Sequence, residues 1–167
     1  MSYTTTSLQN MRARAVEDNK VTRKLINRFK KIRPQQLDKL FHDLHATEFK
    51  RIDCLECANC CKTISPSIFD SDVRRMATAL KIKQAELIEK YLVADTDNDF
   101  VFKNTPCPFL EADNRCIIYE ARPKACREYP HTDRKRIYQI LDLTVKNSKV
   151  CPAVFTITEK LKNSLPL

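Results

Sequence analysis

Apolar residues recur at helical spacing from Leu8 to about Lys31, where Met11, Ala15, Val21, Leu25, Ile26 and Phe29 share one side. Arg12, Arg14, Arg23, Lys24, Arg28, Lys30 and Lys31 occupy the other faces, so this stretch is predicted to be an amphipathic basic helix. Met1 to Ser7 is polar and terminal and is expected to be disordered. Arg33-Pro34 interrupts the pattern, because a residue before proline avoids the α region. Pro34 suits the first turn of a second helix running to about Ala46, with Leu37, Leu40, Phe41 and Leu44 on one side. His42 and His45, three apart on it, read as a wet-face pair beside the core rather than as metal ligands.

Further along, Ser71 is expected to cap a helix from Asp72 to about Leu80, with Val73, Met76, Ala77 and Leu80 as its apolar stripe. Lys83 to Leu92 reads as another helix. Asp95 to Asp99 has neither the glycine nor the terminal glutamate of a calcium loop and reads as an acidic turn. Phe100-Val101-Phe102 is expected to begin a short strand. Pro106 to Tyr119 reads as a β-hairpin around a polar turn, which would bring Cys107 and Cys116 together at its base. Glu120 to Tyr129 is a short helical piece stopped by Pro130, Ile137 to Val145 alternates as a strand would, and Cys151-Pro152 opens a last helix to about Lys162. The expected fold is α+β: a small, mostly helical, metal-stabilised domain with a short β-hairpin over residues 50–167, preceded by a basic helical extension over 1–49.

Composition narrows the chemistry. The 167 residues contain no glycine, which removes the P-loop, the G-x-G-x-x-G dinucleotide fingerprint and the G-x-S-x-G nucleophile elbow. Left-handed backbone positions then fall to Asn or Asp, with Asn59 and Asn114 as candidates. No apolar run is long enough to cross a bilayer, and no secretory segment follows Met1. Eight cysteines in such a chain favour a reducing, cytoplasmic setting in which thiols serve metals rather than disulfides. The formal charge of +9 is uneven: residues 1–51 carry twelve Lys/Arg against five Asp/Glu.

Four of the cysteines stand within eight residues, Cys54-x2-Cys57-x2-Cys60-Cys61. A C-x2-C turn points two thiolates at one ion, and the adjacent Cys61 indicates either a second metal or a spare thiol. The other four are dispersed: Cys107, Cys116, Cys126 and Cys151. Eight thiolates suit two four-thiolate zinc sites, a multinuclear zinc site, or an iron–sulfur cluster on four of them. Nearby, Arg122 and Arg127 are candidates to offset thiolate charge, and Tyr119 and Tyr129 to pack over the centre; the alternative for Arg122 is a surface ion pair with Glu120 or Glu128. Glu120, Glu128 and His131 offer acid–base groups without any pairing that the sequence shows. A nucleophilic role for a surplus thiol, Cys60 or Cys61 first, lacks a neighbouring histidine.

This constellation resembles the YkgJ-like cysteine-cluster (CxxCxxCC) family of zinc- or iron-chelating proteins. The likeness is carried by Cys54-x2-Cys57-x2-Cys60-Cys61, Phe69-x3-Val73-x-Arg75-Met76-Ala77 and Cys107-Pro108-Phe109-Leu110. It continues in Arg115-Cys116-x-Ile118-Tyr119-Glu120-x-Arg122-Pro123-x2-Cys126-Arg127-x-Tyr129-Pro130 and Cys151-Pro152, so it covers about residues 50–155. The resemblance implies chelation by the matching cysteines, in a module found alone or attached to other domains including flagellin lysine N-methylases, and no single reaction. Three functions are consistent with these features. The first is a metal-binding protein with zinc or an iron–sulfur cluster as a structural or redox centre. The second is an iron–sulfur redox or accessory enzyme in protein or RNA modification. The third is a metal-stabilised nucleic-acid-binding module using the basic amino-terminal helices, the alternatives for that region being a solvated basic helical face or a contact for an acidic protein partner.

Overall fold

A computed structural model describes residues 4–17 and 19–164. The chain forms two compact units, one of residues 1–57 with 130–167 and one of residues 58–129. The architecture is mostly helical with a single short antiparallel hairpin among the described residues, as expected for the α+β class.

The first unit begins with α1 (Thr5–Glu17) and α2 (Asn19–Phe29), so the one long amphipathic stretch is two helices, and Asp18 lies outside the described residues. The disorder expected for Met1–Ser7 is not found from Thr5 onward, and residues 1–3 lie outside the described residues. Thr4 provides the start: its hydroxyl oxygen accepts from the Ser7 amide at 3.1 Å. Pro34 opens α3 (Pro34–Glu48), which runs two residues past its expected end. Cys54–Cys57 forms a single turn, α4, entered through an Asp53 carboxylate that accepts from the Leu55 amide at 2.8 Å.

The chain returns to this unit at Pro130. Ile137–Val145 is not a strand: a 3-10 turn at Ile137–Ile140 leads into α9 (Leu141–Ser148), and α10 (Pro152–Ser164) follows. The reason is burial. Leu141, Thr144 and Ser148 are buried at helical spacing, whereas Leu143, which a strand would place on the same face as Leu141, is 38% exposed. Ile137 and Leu141 join a core with Leu25, Ile26, Phe29, Leu37, Phe41, Ile157 and Leu161. Met11, Ala15 and Phe155 form a smaller cluster beside α1.

The second unit contains α5 (Asn59–Thr63), α6 (Asp70–Leu80), α7 (Gln84–Tyr91), the hairpin β1 (Leu92–Ala94) and β2 (Phe100–Phe102), and α8 (Lys124–Glu128). The hairpin closes over the acidic turn, where Asp95 Oδ1 accepts from the amides of Asp97 and Asp99 at 2.9 and 3.0 Å. The Pro106–Tyr119 segment turns back as expected but contains no regular strands, only an isolated Leu110–Cys116 bridge. Its turn is held by the Asn114 amide donating to Glu111 at 3.0 Å, with Asn114 left-handed at φ 67°. The other expected left-handed residue, Asn59, is helical, and the role falls on the preceding Ala58 at φ 46°. Ile68, Val73, Met76, Ala77, Leu87, Leu92, Phe102, Phe109, Ile118 and Ala121 form this unit's core.

Candidate metal centre

Five cysteines belong to the second unit, and four of them act on one another. Cys61 sits on α5, and its carbonyl accepts the Cys107 amide at 2.8 Å, which ties the start of the returning loop to the cysteine helix. The Leu110–Cys116 bridge then brings Cys116 back along that loop, with the Ile117 amide donating to Phe109 at 2.9 Å. Cys126 follows on α8. Burial pushes the Cys107 thiol up to about 11 and the Cys126 thiol up to about 12, and raises Cys116 as well. In each case negative charge on Cys61 adds to the rise, and Cys126 also feels Cys107 and Cys116.

Cys61 is the exception within this set. A hydrogen bond with the Cys60 sulfur, 3.9 Å away, dominates over burial and, with Arg122 and Lys62, brings its pKa down to about 7. Backbone amides aim at the sulfurs too: Phe109 N–H donates to Cys107 and Ile118 N–H to Cys116, each lowering a pKa that burial raises. Such donors stabilise a thiolate whether the counter-charge is a proton or a metal.

The first unit contains Cys54, exposed at the start of α4, the buried Cys57 at its end, and Cys151 before α10. Burial pushes Cys151 up to about 12, opposed by the Val154 and Ala153 amides of the first turn of α10 and reinforced by charge on Cys54 and Cys57. A cysteine before a helix uses the otherwise unpaired amino-terminal amides of that helix as sulfur donors. As the side chains stand, no three His, Cys, Asp or Glu among the described residues close into ligand geometry. The donor chemistry nonetheless fits zinc or iron: thiols grouped by the fold, with amides directed at sulfur.

The candidate supporting residues fall into a connected arrangement. Arg122 lies over the Tyr119 ring at 3.5 Å and donates from Nε to the Tyr119 carbonyl at 2.7 Å. It lowers the pKa of Cys61, Cys116 and Cys126, and the surface ion pair with Glu120 or Glu128 does not form; Glu128 instead pairs with Lys124 at 3.8 Å. Arg127 Nη1 donates to the Arg122 carbonyl at 2.8 Å. Tyr119 is exposed and Tyr129 half-buried. Sequence reasoning missed Asp72, wholly buried on α6. Its carboxylate accepts from Arg75, from the Phe69 amide at 3.1 Å and from the Lys124 amide at 3.0 Å, while Arg75 Nη2 reaches the Arg122 carbonyl at 2.7 Å. Burial alone would raise Asp72, but these donors hold it below the usual carboxylate range. Asp72 thus performs the capping expected of Ser71, and with Arg75 it fixes the backbone on both sides of Pro123, just ahead of Cys126.

His42 and His45 are not a wet-face pair. Both are half-buried: His42 Nε2 donates to the Arg134 carbonyl at 3.1 Å, and His45 Nδ1 shares a hydrogen bond with the Thr132 hydroxyl at 2.8 Å while its ring stacks on Phe49. They bind the returning chain to α3.

No helix among the described residues is long and apolar enough to cross a membrane. No curated protein and no solved structure matches the chain. A family model does, over residues 53–152, with the description "CxxCxxCC: Putative zinc- or iron-chelating domain". That span contains all eight cysteines and more than half of the chain, and the protein belongs to the CxxCxxCC family of zinc- or iron-chelating domains.

Proposed function

We propose that the protein is a metal-binding module in which Cys61, Cys107, Cys116 and Cys126 hold one zinc ion or iron–sulfur cluster. Cys54, Cys57 and Cys151 belong to a second thiolate set in the other unit. The observation that carries this reading is the family match over all eight cysteines, and the Cys107 amide on the Cys61 carbonyl with the Leu110–Cys116 bridge supports the grouping of these thiols on one returning loop. Ionised, these thiols repel one another, so in metal-free protein burial and neighbouring charge favour their protonated forms. The attraction of a cation for each thiolate outweighs that repulsion, so binding deprotonates the thiols and stabilises the loop between Cys61 and Cys107. A bound zinc supplies a closed structural cross-link, and a bound cluster supplies one-electron chemistry.

Arg122 offsets charge at the thiolates, and Arg127 supports the Arg122 backbone. Eight cysteines serving a metal as thiolates suit a reducing compartment such as the cytoplasm. Anaerobic purification with elemental analysis and a visible spectrum tests the reading. Stoichiometric zinc without colour assigns the structural cross-link; stoichiometric iron and sulfide with a visible band that bleaches on reduction assigns the redox centre. Protein with neither metal overturns the proposal. Cys126→Ser should remove the metal of the four-thiol set and leave that of the Cys151 set, and Cys151→Ser the converse.

A further inference from the structure

The chain's whole excess of positive charge lies on the first unit. Residues 1–57 and 130–167 carry nineteen Lys/Arg against ten Asp/Glu, and residues 58–129 carry eleven against eleven. Within that unit two basic segments, about a hundred residues apart in sequence, both lie against α3, the first at its start and the second along its next turns from Asp38 to His42. The first is the α2–α3 turn, with Lys30, Lys31 and Arg33 all exposed. The second is Arg134-Lys135-Arg136, also exposed, which leads into the 3-10 turn.

Asp38, one turn into α3 and about 7 Å along the axis from Arg33, fixes the second segment there. Its two carboxylate oxygens accept the Arg136 amide at 2.8 Å and the Ile137 amide at 2.9 Å, and His42 holds the Arg134 carbonyl. This clamp keeps Arg136 in the left-handed region at φ 60°, a conformation that costs a non-glycine residue energy and that the two hydrogen bonds offset. Among the described residues none of the six cations forms an ion pair. Beside them Tyr138 is 39% exposed, an aromatic ring at the edge of a positive surface.

We propose that this surface, Lys30, Lys31, Arg33, Arg134, Lys135, Arg136 and Tyr138, binds single-stranded nucleic acid. The cations contact phosphates and Tyr138 stacks on an unpaired base. Unpaired cations around an exposed aromatic are the two parts such sites combine. A lipid surface would need a free apolar helix face, and the apolar face of α2 is spent on the core through Leu25, Ile26 and Phe29. An acidic protein partner would use the same cations but would have no need of the ring.

The test measures binding of labelled oligouridylate and oligothymidylate, each about 20 nucleotides, to the full metal-loaded chain as salt is raised through about 150 mM. Log affinity should fall linearly with log salt, with a slope of about −0.7 per phosphate contacted. Lys31→Ala with Arg134→Ala and Lys135→Ala should flatten that slope by about 2 and weaken binding at least tenfold, roughly. Tyr138→Ala should weaken it by about fivefold or more at unchanged slope. A variant of equal charge, Arg12→Ala with Lys50→Ala and Lys146→Ala, should lose far less. Comparable losses in the two triple variants would overturn the site in favour of net charge alone. Polyglutamate competing as well as the oligonucleotides, with Tyr138→Ala neutral, would overturn it in favour of an acidic protein, and absence of binding near 150 mM salt would overturn it outright. The stronger of the two oligonucleotides assigns RNA or DNA.

Discussion

At Cys61 a thiol stands near neutrality because the adjacent Cys60 sulfur hydrogen-bonds to it, with Arg122 and Lys62 assisting against burial. In metal-free protein, Cys61 should therefore alkylate with a rate that rises through pH about 7. Cys60→Ala removes the largest of the lowering causes, so the midpoint should move upward, toward that of an ordinary thiol. Mass-spectrometric rates of iodoacetamide labelling against pH measure this, and an unmoved midpoint would refute the role given to Cys60. Asp72 is the other residue on which much depends. Asp72→Ala leaves Arg75 and the Lys124 amide without their shared acceptor, and breaking a buried pair of this kind costs about 3–5 kcal/mol. Because the same carboxylate holds the backbone ahead of Cys126, metal content should fall together with stability. Chemical denaturation and metal analysis of Asp72→Ala beside Asp72→Asn separate the charge from the hydrogen bonds. The cysteines were legible in the sequence because their chemistry is local and their spacing distinctive. Asp72 was not, since its partner Lys124 is fifty-two residues away and an acid in a first helical turn has an adequate local explanation.

Elements in this chain end without glycine, and the close of α6 shows the consequence. Lys81 adopts φ 56° and ψ 39°, its amide reaches Thr78 at 3.2 Å, and the Ile82 amide reaches Ala77 at 3.1 Å, which is a Schellman cap with lysine in glycine's position. Lys81→Gly should raise stability by about 1 kcal/mol, because the left-handed penalty for a side chain exceeds the entropy lost on introducing glycine at a position already fixed. A thermal melt a few degrees higher is the expected result, and an unchanged or lower melt would show that the lysine side chain compensates. Helix positions were mostly readable from apolar periodicity and proline placement, as at Pro34 and Pro152. The segment Ile137–Val145 was not, because its alternation mimics a strand and only the burial of Leu141 and Thr144 with Leu143 left exposed identifies a helical turn. The loop from Pro106 to Tyr119 was legible as a return but not as irregular backbone, since its organising contact is the Cys107 amide on Cys61, forty-six residues earlier.

Across the whole molecule, charge and thiols are distributed by unit, and metal loading follows from that. In the 58–129 unit, the metal-free thiols titrate at about 7 for Cys61, about 11 for Cys107 and about 12 for Cys126, with Cys116 also raised. A metal takes thiolates, so each protonated thiol must release its proton on binding, and affinity must increase with pH. Below pH 7 all four are protonated and loading this set displaces about four protons; between pH about 7 and about 9 Cys61 is already ionised while the three raised thiols keep their protons, and the number falls to about three. Log affinity for zinc should accordingly rise with a slope near four at pH about 6 and near three at pH about 8. A Cys151→Ser background isolates the set, and calorimetry in buffers of different ionisation enthalpy counts the protons. Cys61→Ser should bring the count to about three at both pH values, because the thiol responsible for the change is gone. A constant count of about three in the parent would mean that Cys61 is not among the thiols that hold the metal, and a constant count of about four that its thiol does not ionise near neutrality.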